Sequence, residues 1–351
     1  MSRLRIAPWT LGAVCFAATV CVTPVSLGQS FILAAGSATP LWMLLSAATG
    51  LLGVDIQTRF IEAPLAPWAA WLRNAFRYPL ALFYALGTGL MLNVWLTILG
   101  GTELAATPRL ASALLLVTVM AYMLRVGFDS AMRLLGLIAL VIGPSILSLL
   151  IAALTNADFA RLLPHPFGTG AIPWLWPTFL FASRGFDVLP ALAPFAGGSL
   201  RRVAFVGVAL GSVITFSSVV VPILVWGYPA AAQWQHPLLK AIGTYTSVYA
   251  PFERIAFVSF IAWQLNSFAA SGVYALSLLV TLRAPVDPVT PWWAVLPVVL
   301  ITLAGALPVL PLDVADDVLN LWSAYGLLIL IVLPAALLLL GRVRARAAAT
   351  A

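Results

Sequence analysis

Two opposite charges stand three residues apart in an otherwise apolar stretch at the middle of the chain. Arg184 and Asp187 both fall inside the segment 173–196. Residues three apart on a helix share a face, so this guanidinium and carboxylate can pair. Charges within a membrane are energetically costly and mark functional sites by default. We therefore weigh a ligand-binding role against a self-neutralised structural pair, and we favour the ligand-binding role.

The same segment is rich in residues that interrupt helices. Gly185 separates the two charges, and Pro177, Pro190 and Pro194 flank them. Glycine weakens a helix, and proline lacks the N–H that a helical hydrogen bond needs. An interrupted helix leaves N–H and C=O groups free to bind a ligand. The sequence therefore predicts a broken helix with a polar site at its break.

The first apolar stretch carries a weaker sign of the same kind. Pro24 cannot donate a hydrogen bond to the carbonyl of Val20, which predicts a weak helix at 17–20. A simple proline kink is the alternative. If the helix is interrupted there, its free N–H groups would face an anionic group such as a carboxylate.

Residues for catalysis or metal binding are scarce. Cys15 and Cys21 are the only cysteines, about 9 Å apart along a helix axis, which is too far for a disulfide. The two histidines, His165 and His236, share no motif. Phosphate-binding loops, dinucleotide-binding glycine patterns, zinc-protease motifs and serine-hydrolase motifs are absent. We expect no enzyme activity, no catalytic residue, no metal and no cofactor.

The elements that must position these residues are membrane helices. Of 351 residues, 62% are hydrophobic and 8% charged, against about 25% charged in soluble domains. The net charge of +7 comes from basic residues spaced singly between apolar stretches, so nucleic-acid binding is excluded. The apolar runs lack the alternation of a membrane β-barrel. The chain is predicted to be an all-α polytopic membrane protein.

Ten stretches are long and apolar enough to cross a bilayer, which takes about 20 residues. We retain the first as a helix in preference to a cleaved signal peptide, because its apolar region is long. The predicted spans are 7–27, 38–57, 79–101, 108–126, 134–154, 173–196, 203–228, 255–282, 291–311 and 320–341.

These spans form two halves of five, and the first span of each half is the one with interruptions. That arrangement points to an inverted-repeat transporter fold with a site at the membrane midplane. We expect residues 1–351 to form a single membrane domain. Repeat one covers about 7–154, and repeat two about 173–311 with outer helices to 341.

The basic residues predict the orientation. With the N-terminus inside, thirteen arginines fall on inner segments and four basic residues on outer ones. This excess places both termini in the cytoplasm. Two connections are predicted to contain helices: an interfacial helix within 62–77, and a short surface helix within the outer loop 229–253, a lid or a passive connector.

Several short motifs resemble the B-subunit family of spore germinant receptors. They are Ala160-Arg-Leu-Leu-Pro164, Gly127-Phe-Asp-Ser-Ala-Met-Arg133, Gly185-Phe186-Asp187, Gln235-His-Pro-Leu-Leu-Lys240-Ala-Ile and Phe252-Glu253-Arg254. Their order and spacing cover nearly the whole chain. The family belongs to the amino acid–polyamine–organocation permease superfamily, which implies a leucine-transporter-like 5+5 inverted repeat with helices 1 and 6 broken.

The resemblance also implies a role and partners. Family members bind a small nutrient, usually an amino acid, and trigger germination. They act with an A-type membrane subunit and a C-type lipoprotein in the spore inner membrane, or by extension in a bacterial cytoplasmic membrane. The alternative is a secondary amino-acid transporter, coupled to protons or ions, with Asp187 as carrier. A third reading is a membrane scaffold with a vestigial site, since the family's Gly-x-Gly at the first break is here Ala17 and Thr19.

The resemblance carries over a set of substrate-binding residues. It places three on the first break and the rest around the second, with Tyr84 lining the pocket and Tyr274 forming a wall. An arginine at position 184 departs from the apolar residue usual there and would favour an acidic group or shrink the pocket. The expected set is Ala17, Ala18, Thr19, Tyr84, Arg184, Gly185, Phe186, Asp187 and Tyr274.

Overall fold

The structure is a computed structural model. It describes residues 6–20, 27–63, 67–100, 107–163, 173–197, 199–243, 255–286, 289–310 and 312–350. Within these ranges the side chains of 67–74, 255–260, 263, 312–313 and 342–350 are not described. The predicted Pro24 kink and the Phe252–Arg254 motif lie outside the described residues.

Helices make up most of the described chain. They are α1 (Pro8–Val20), α2 (Gly28–Ala35), α3 (Thr39–Glu62), α4 (Pro67–Gly100), α5 (Arg109–Arg125), α6 (Phe128–Leu154), α7 (Trp176–Leu180), α8 (Leu189–Leu192), α9 (Leu200–Trp226), α10 (Tyr228–Ala231), α11 (Pro237–Gly243), α12 (Ile255–Thr281), α13 (Trp292–Ala306), α14 (Leu312–Leu327) and α15 (Leu333–Thr350).

Every predicted span contains helix, and the all-α class is confirmed. Among the described residues, five helical segments have the length and composition to cross a membrane: Gly28–Glu62, Ala75–Gly100, Phe128–Leu154, Leu200–Trp226 and Val314–Gly341. The total of ten crossings, the inverted repeat and the orientation of the termini stay predictions. The protein is an integral membrane protein.

The segment 62–77 differs from its prediction. The expected separate interfacial helix is part of α4, which runs without interruption from Pro67 to Gly100. Pro79 lies inside this helix. A proline removes only one helical hydrogen bond, and membrane helices tolerate the loss because neighbouring groups satisfy the freed carbonyl. The carbonyl that loses its helical donor is that of Ala75, whereas the carbonyl of Pro79 itself accepts the hydroxyl of Tyr325 at 2.9 Å.

Helix α1 is enclosed by α6, α9 and α12. Its approach to α9 is close because glycines line the contact: a Cβ on Gly207 would lie 2.2 Å from the carbonyl oxygen of Gly12. Helix α12 packs in turn against α4 and α6, and α3 packs against α9. Without water to drive association, such close backbone contact supplies the packing energy between membrane helices.

Short helices cover the end of the bundle that is predicted to face outward. The predicted surface helix in 229–253 is confirmed as α11, whose Leu238 is fully buried. Residues 244–253 of that loop lie outside the described residues. On α2, Phe31 stacks on Phe179 of α7 with ring centroids 4.2 Å apart. Gln29 donates to the Ala232 carbonyl at 3.0 Å. These contacts close this end over α7.

The opposite end is joined by backbone and ionic contacts. The N–H of Ile6 donates to the Phe195 carbonyl at 2.9 Å, and Ile6 pairs with Ala196 in a parallel β-bridge. Asp55 at the end of α3 accepts from Arg201 of α9 at 2.6 Å. The segment before α1 is therefore tied to the segment after α8.

Candidate functional site

The predicted break in span six is present. Helix α7 ends at Leu180, residues 181–188 form turns, and a second short helix begins at Leu189. Pro177 and Pro190 each stand in the first turn of a helix, where the missing N–H has no helical partner to lose. The prolines therefore start two short helices and leave the stretch with Gly185 between them non-helical.

Neighbouring helices satisfy part of the freed backbone. Ser46 of α3 accepts the N–H of Ser183 at 2.9 Å, and its hydroxyl also donates to the Ser183 hydroxyl at 3.1 Å. Tyr84 of α4 donates to the Asp187 carbonyl at 2.6 Å. A broken membrane helix persists only where such partners replace the lost hydrogen bonds. The interruption therefore depends on hydrogen bonds from α3 and α4 as well as on its own residues.

Arg184 is buried, with 3% of its surface exposed. Its Nε donates to the Tyr274 hydroxyl at 2.9 Å, and its Nη2 lies 3.2 Å from the Met91 sulfur. The guanidinium carbon is 5.0 Å from the ring centroid of Trp322 and 6.0 Å from that of Phe181. A cation over aromatic faces is stabilised by their negative potential, more so when desolvated.

Asp187 is fully buried and linked to Arg184 through one side chain. Its Oδ2 accepts the hydroxyl of Tyr274, which accepts in turn from Arg184. Its Oδ1 is buried and has no hydrogen-bond partner among the described residues. Guanidinium, phenol and carboxylate thus form a chain of charge-assisted hydrogen bonds, and one carboxylate oxygen remains available to a donor.

Gly185 joins this site to α1. A Cβ at this position would lie 2.1 Å from both the Cys15 carbonyl oxygen and the Thr19 Oγ1. Thr19 itself donates to the Cys15 carbonyl at 2.8 Å. The first and sixth spans therefore meet here, as predicted, and only a residue without a side chain permits this approach.

Residues 17–20, where the sequence placed the first interruption, are helical. Ala17, Ala18 and Thr19 are fully buried and helical, in the last turn of α1, which ends at Val20. Pro24 affects the bond that Val20 would accept, whereas residues up to Val20 keep their own N–H bonds. A break within 17–20 is thus not present in α1, which ends at Val20, and residues 21–26 lie outside the described residues.

The structure brings only some of the predicted site residues into direct contact. Tyr84, Arg184, Asp187 and Tyr274 form one connected cluster. The ring of Phe186 instead lies against α3, where a Cβ on Gly53 would come within 2.6 Å of it. Every residue of the predicted set is buried, so this conformation is closed around the site.

Sequence reasoning missed Met91, Trp322 and Phe181. Met91 stands seven residues after Tyr84 and so shares its helical face, which is a signal that could have found it. Trp322 fell near the start of the predicted span 320–341, where interfacial tryptophans are common. The helix begins at Leu312 instead, which places Trp322 well inside it. Its ring stacks on Phe83 at 4.7 Å, and its Nε1 donates to the Phe83 carbonyl.

No cluster of three or more metal-binding side chains occurs among the described residues. The polar groups of the site are one cation, one carboxylate and two phenols. This arrangement suits reversible binding of a small molecule that carries a donor for Asp187 and an acceptor for Arg184.

Comparison with known proteins identifies the family. The model of the spore germination protein family matches residues 41–303, which is most of the chain. The chain belongs to the spore germination protein family. This confirms the resemblance seen in the sequence motifs and shows a permease-like membrane protein.

The chain was also compared with curated protein sequences and with solved structures. Curated protein sequences gave no match. Among solved structures, one match is MHP1, a nucleobase-cation-symport-1 family transporter in a closed conformation with bromovinylhydantoin bound. The two chains are 15% identical, with a TM-score of 0.47, and the match covers 94% of this chain and 78% of the transporter.

Proposed function

We propose that this chain is the permease-like B subunit of a spore germinant receptor, and that it binds a small nutrient, an amino acid, between helices 1 and 6. The observation that carries the proposal is the buried Arg184–Tyr274–Asp187 chain at the break of span six. These hydrogen-bonded side chains lie where the first and sixth spans meet, in a protein of the spore germination family.

The charges of the cluster match those of an amino acid. Once the site opens, an α-ammonium group can donate to Asp187 Oδ1, and an α-carboxylate can accept from the Arg184 guanidinium. Two oppositely charged anchors recognise a zwitterion better than either an amine or an acid alone, because each ligand charge would otherwise be desolvated without a partner.

Binding must also produce a signal. A ligand shifts a conformational equilibrium only by its difference in affinity between the two states. Here the closed state holds Arg184 and Asp187 together through Tyr274, and a bound zwitterion would replace those bonds. The resulting change would pass to an A-type membrane subunit and a C-type lipoprotein in the spore inner membrane. Both termini would lie in the cytoplasm.

A panel of amino acids tests the binding proposal directly. The purified chain in detergent should show a raised thermal midpoint with at least one amino acid, and less or none with the same molecule lacking its amino group. Arg184→Leu should change the preferred ligand or abolish the shift. Arg133→Gln, at an exposed arginine paired with Asp129, is the matched control. Identical responses of the Arg184→Leu and unsubstituted chains would remove Arg184 from the site.

The second candidate is a secondary transporter coupled to protons or ions. The buried carboxylate of Asp187, with its partnerless Oδ1, favours it, since such a group can take up and release a proton. Proteoliposomes that contain this chain alone distinguish the two. Accumulation of labelled amino acid that Asp187→Asn abolishes would establish transport, whereas saturable binding without uptake would support the receptor subunit.

A further inference from the structure

A cavity lies apart from the buried cluster, at the end of the bundle that is predicted to face the cytoplasm. Its volume is about 410 Å³, within the range of small-molecule sites. The ends of α3, α4 and α12 form its walls together with α8 and the turn after it. Among its lining residues are Phe60, Arg77, Pro190, Phe195, Thr281 and Arg283.

The polar lining is cationic. Arg77 and Arg283 both line the cavity, and none of the described lining residues is acidic. Arg77 is half-buried; its Nη2 donates to the Leu282 carbonyl at 2.9 Å, while its Nε is buried without a hydrogen-bond partner. The Thr281 hydroxyl is likewise partnerless, in a side chain with 7% exposure. Two cationic side chains therefore line one cavity.

Arg283 stands at a position where glycine is the usual residue. Its φ is +57°, in the left-handed region. Its N–H bonds the Val280 carbonyl at 2.9 Å, and the next N–H, of Ala284, bonds the Leu279 carbonyl at 3.0 Å. This is the Schellman pattern that ends helices, normally with glycine at the left-handed residue. The chain accepts the strain of a side chain there, and that side chain lines the cavity.

We propose that this cavity binds a phosphate group, supplied by an anionic membrane lipid or by a soluble organic phosphate. Two guanidinium groups carry the two positive charges that match a phosphate dianion, and their N–H groups suit its oxygens. The Thr281 hydroxyl and the Arg77 Nε, both buried in residues of the cavity wall, have no hydrogen-bond partner among the described residues. Basic pockets between membrane helices at the cytoplasmic side bind lipid headgroups in this way. The apolar walls, which include Phe60 and Phe195, accommodate the rest of the molecule.

The cavity shares an element with the buried cluster. Pro190, in its wall, follows Asp187 by three residues, and Leu80, also in the wall, stands one helical turn before Tyr84. An occupant therefore holds α8 against α4 and α12. The inference does not rest on an amino-acid ligand, because different residues form the two sites.

The test uses the full-length chain in phosphatidylcholine nanodiscs. In one arm glycerol 3-phosphate is titrated, and in the other phosphatidylglycerol replaces part of the phosphatidylcholine, with the thermal midpoint as readout. Stabilisation by the lipid alone assigns the phosphate to a headgroup, and stabilisation by glycerol 3-phosphate assigns it to a soluble molecule. No stabilisation in either arm overturns the proposal.

Two variants and one control variant test whether the phosphate binds in this cavity. Arg283→Gly removes one guanidinium and relieves the left-handed backbone, so the protein should fold at least as well while its apparent Kd rises about 10- to 100-fold, the effect of one charged hydrogen-bonding partner. Arg77→Gln should weaken binding similarly. Arg202→Gln, at an exposed arginine outside this cavity, is the control and should bind as the unsubstituted chain does. An equal loss of affinity in all three variants would indicate nonspecific electrostatic attraction of the phosphate, and it would contradict a specific site in this cavity.

Discussion

Gly185 in the interrupted sixth span touches the carbonyl oxygen of Cys15 in α1 so closely that a Cβ would stand 2.1 Å from it. This contact joins the two spans on which the proposed binding site depends. Backbone lies on both sides of it, so neither partner can yield as a flexible side chain could.

Gly185→Ala should therefore lower the stability of the protein by about 1–3 kcal/mol or more, the usual cost of overpacking a tight contact. The thermal midpoint of the purified protein measures the effect. Gly341→Ala is the control, since nothing lies within 4 Å of a Cβ there and alanine favours a helix. A Gly185→Ala protein as stable as the unsubstituted chain would show that α1 and span six can separate.

Tyr274→Phe should destabilise the closed cluster. It deletes the hydroxyl between Arg184 and Asp187 and leaves the fully buried Asp187 carboxylate without that donor. Loss of one partner of a buried polar group costs about 1–3 kcal/mol. Thermal unfolding of the variant gives the value. Tyr228→Phe, which loses a longer bond of 3.3 Å to the Ser37 carbonyl, should cost less, and the reverse order would contradict the role given to Tyr274.

Ser46→Ala should loosen the interruption itself. The Ser183 N–H would lose its acceptor in a dry interior, which costs about 1–3 kcal/mol. Hydrogen exchange at residues 181–188 should accelerate more than at α4. Thr49→Ala, on the same helix at a partly exposed position, is the control. Uniform acceleration across the protein would instead indicate global destabilisation.

Asn93→Leu should weaken the predicted outer end of α13. Its side-chain nitrogen lies within hydrogen-bonding distance of the carbonyls of Gly305, Ala306 and Pro308, at 3.0, 3.3 and 2.7 Å. These carbonyls follow the helix or end it, so they lack helical donors. A fall in thermal midpoint equivalent to about 1–3 kcal/mol is expected. Arg109 bonds the Ala306 carbonyl too, so Arg109→Gln should couple non-additively with Asn93→Leu.

The sequence predicted the interruption of span six because its causes are local: Pro177, Gly185 and Pro190 act on their own backbone. The family resemblance added Tyr84 and Tyr274 to the expected site, and the structure brings both into hydrogen-bond contact with Arg184 or Asp187. Their connection through the Tyr274 hydroxyl depends on how α12 packs against span six. The spacing of residues along the sequence does not determine how α12 aligns with span six.

The errors have equally specific causes. The predicted last span starts at 320 and leaves Asp313, Asp316 and Asp317 in the preceding loop. Acidic residues are favoured at helix N-termini, and α14 begins at Leu312 among them. The earlier start places Trp322 inside the helix, where its ring centroid lies 5.0 Å from the guanidinium carbon of Arg184. For α1, the effect of Pro24 was assigned to residues that keep their own hydrogen bonds.

The β-bridge between Ile6 and Ala196 holds two segments of the bundle together. It couples the lead-in to the first span with the tail of the sixth, so the two must travel together or the Ile6–Phe195 hydrogen bond must open first. Separation of these two segments therefore requires the rupture of a two-strand contact one residue long. Because backbone atoms make this contact, a substitution of the Ile6 or Ala196 side chain does not remove its hydrogen bond.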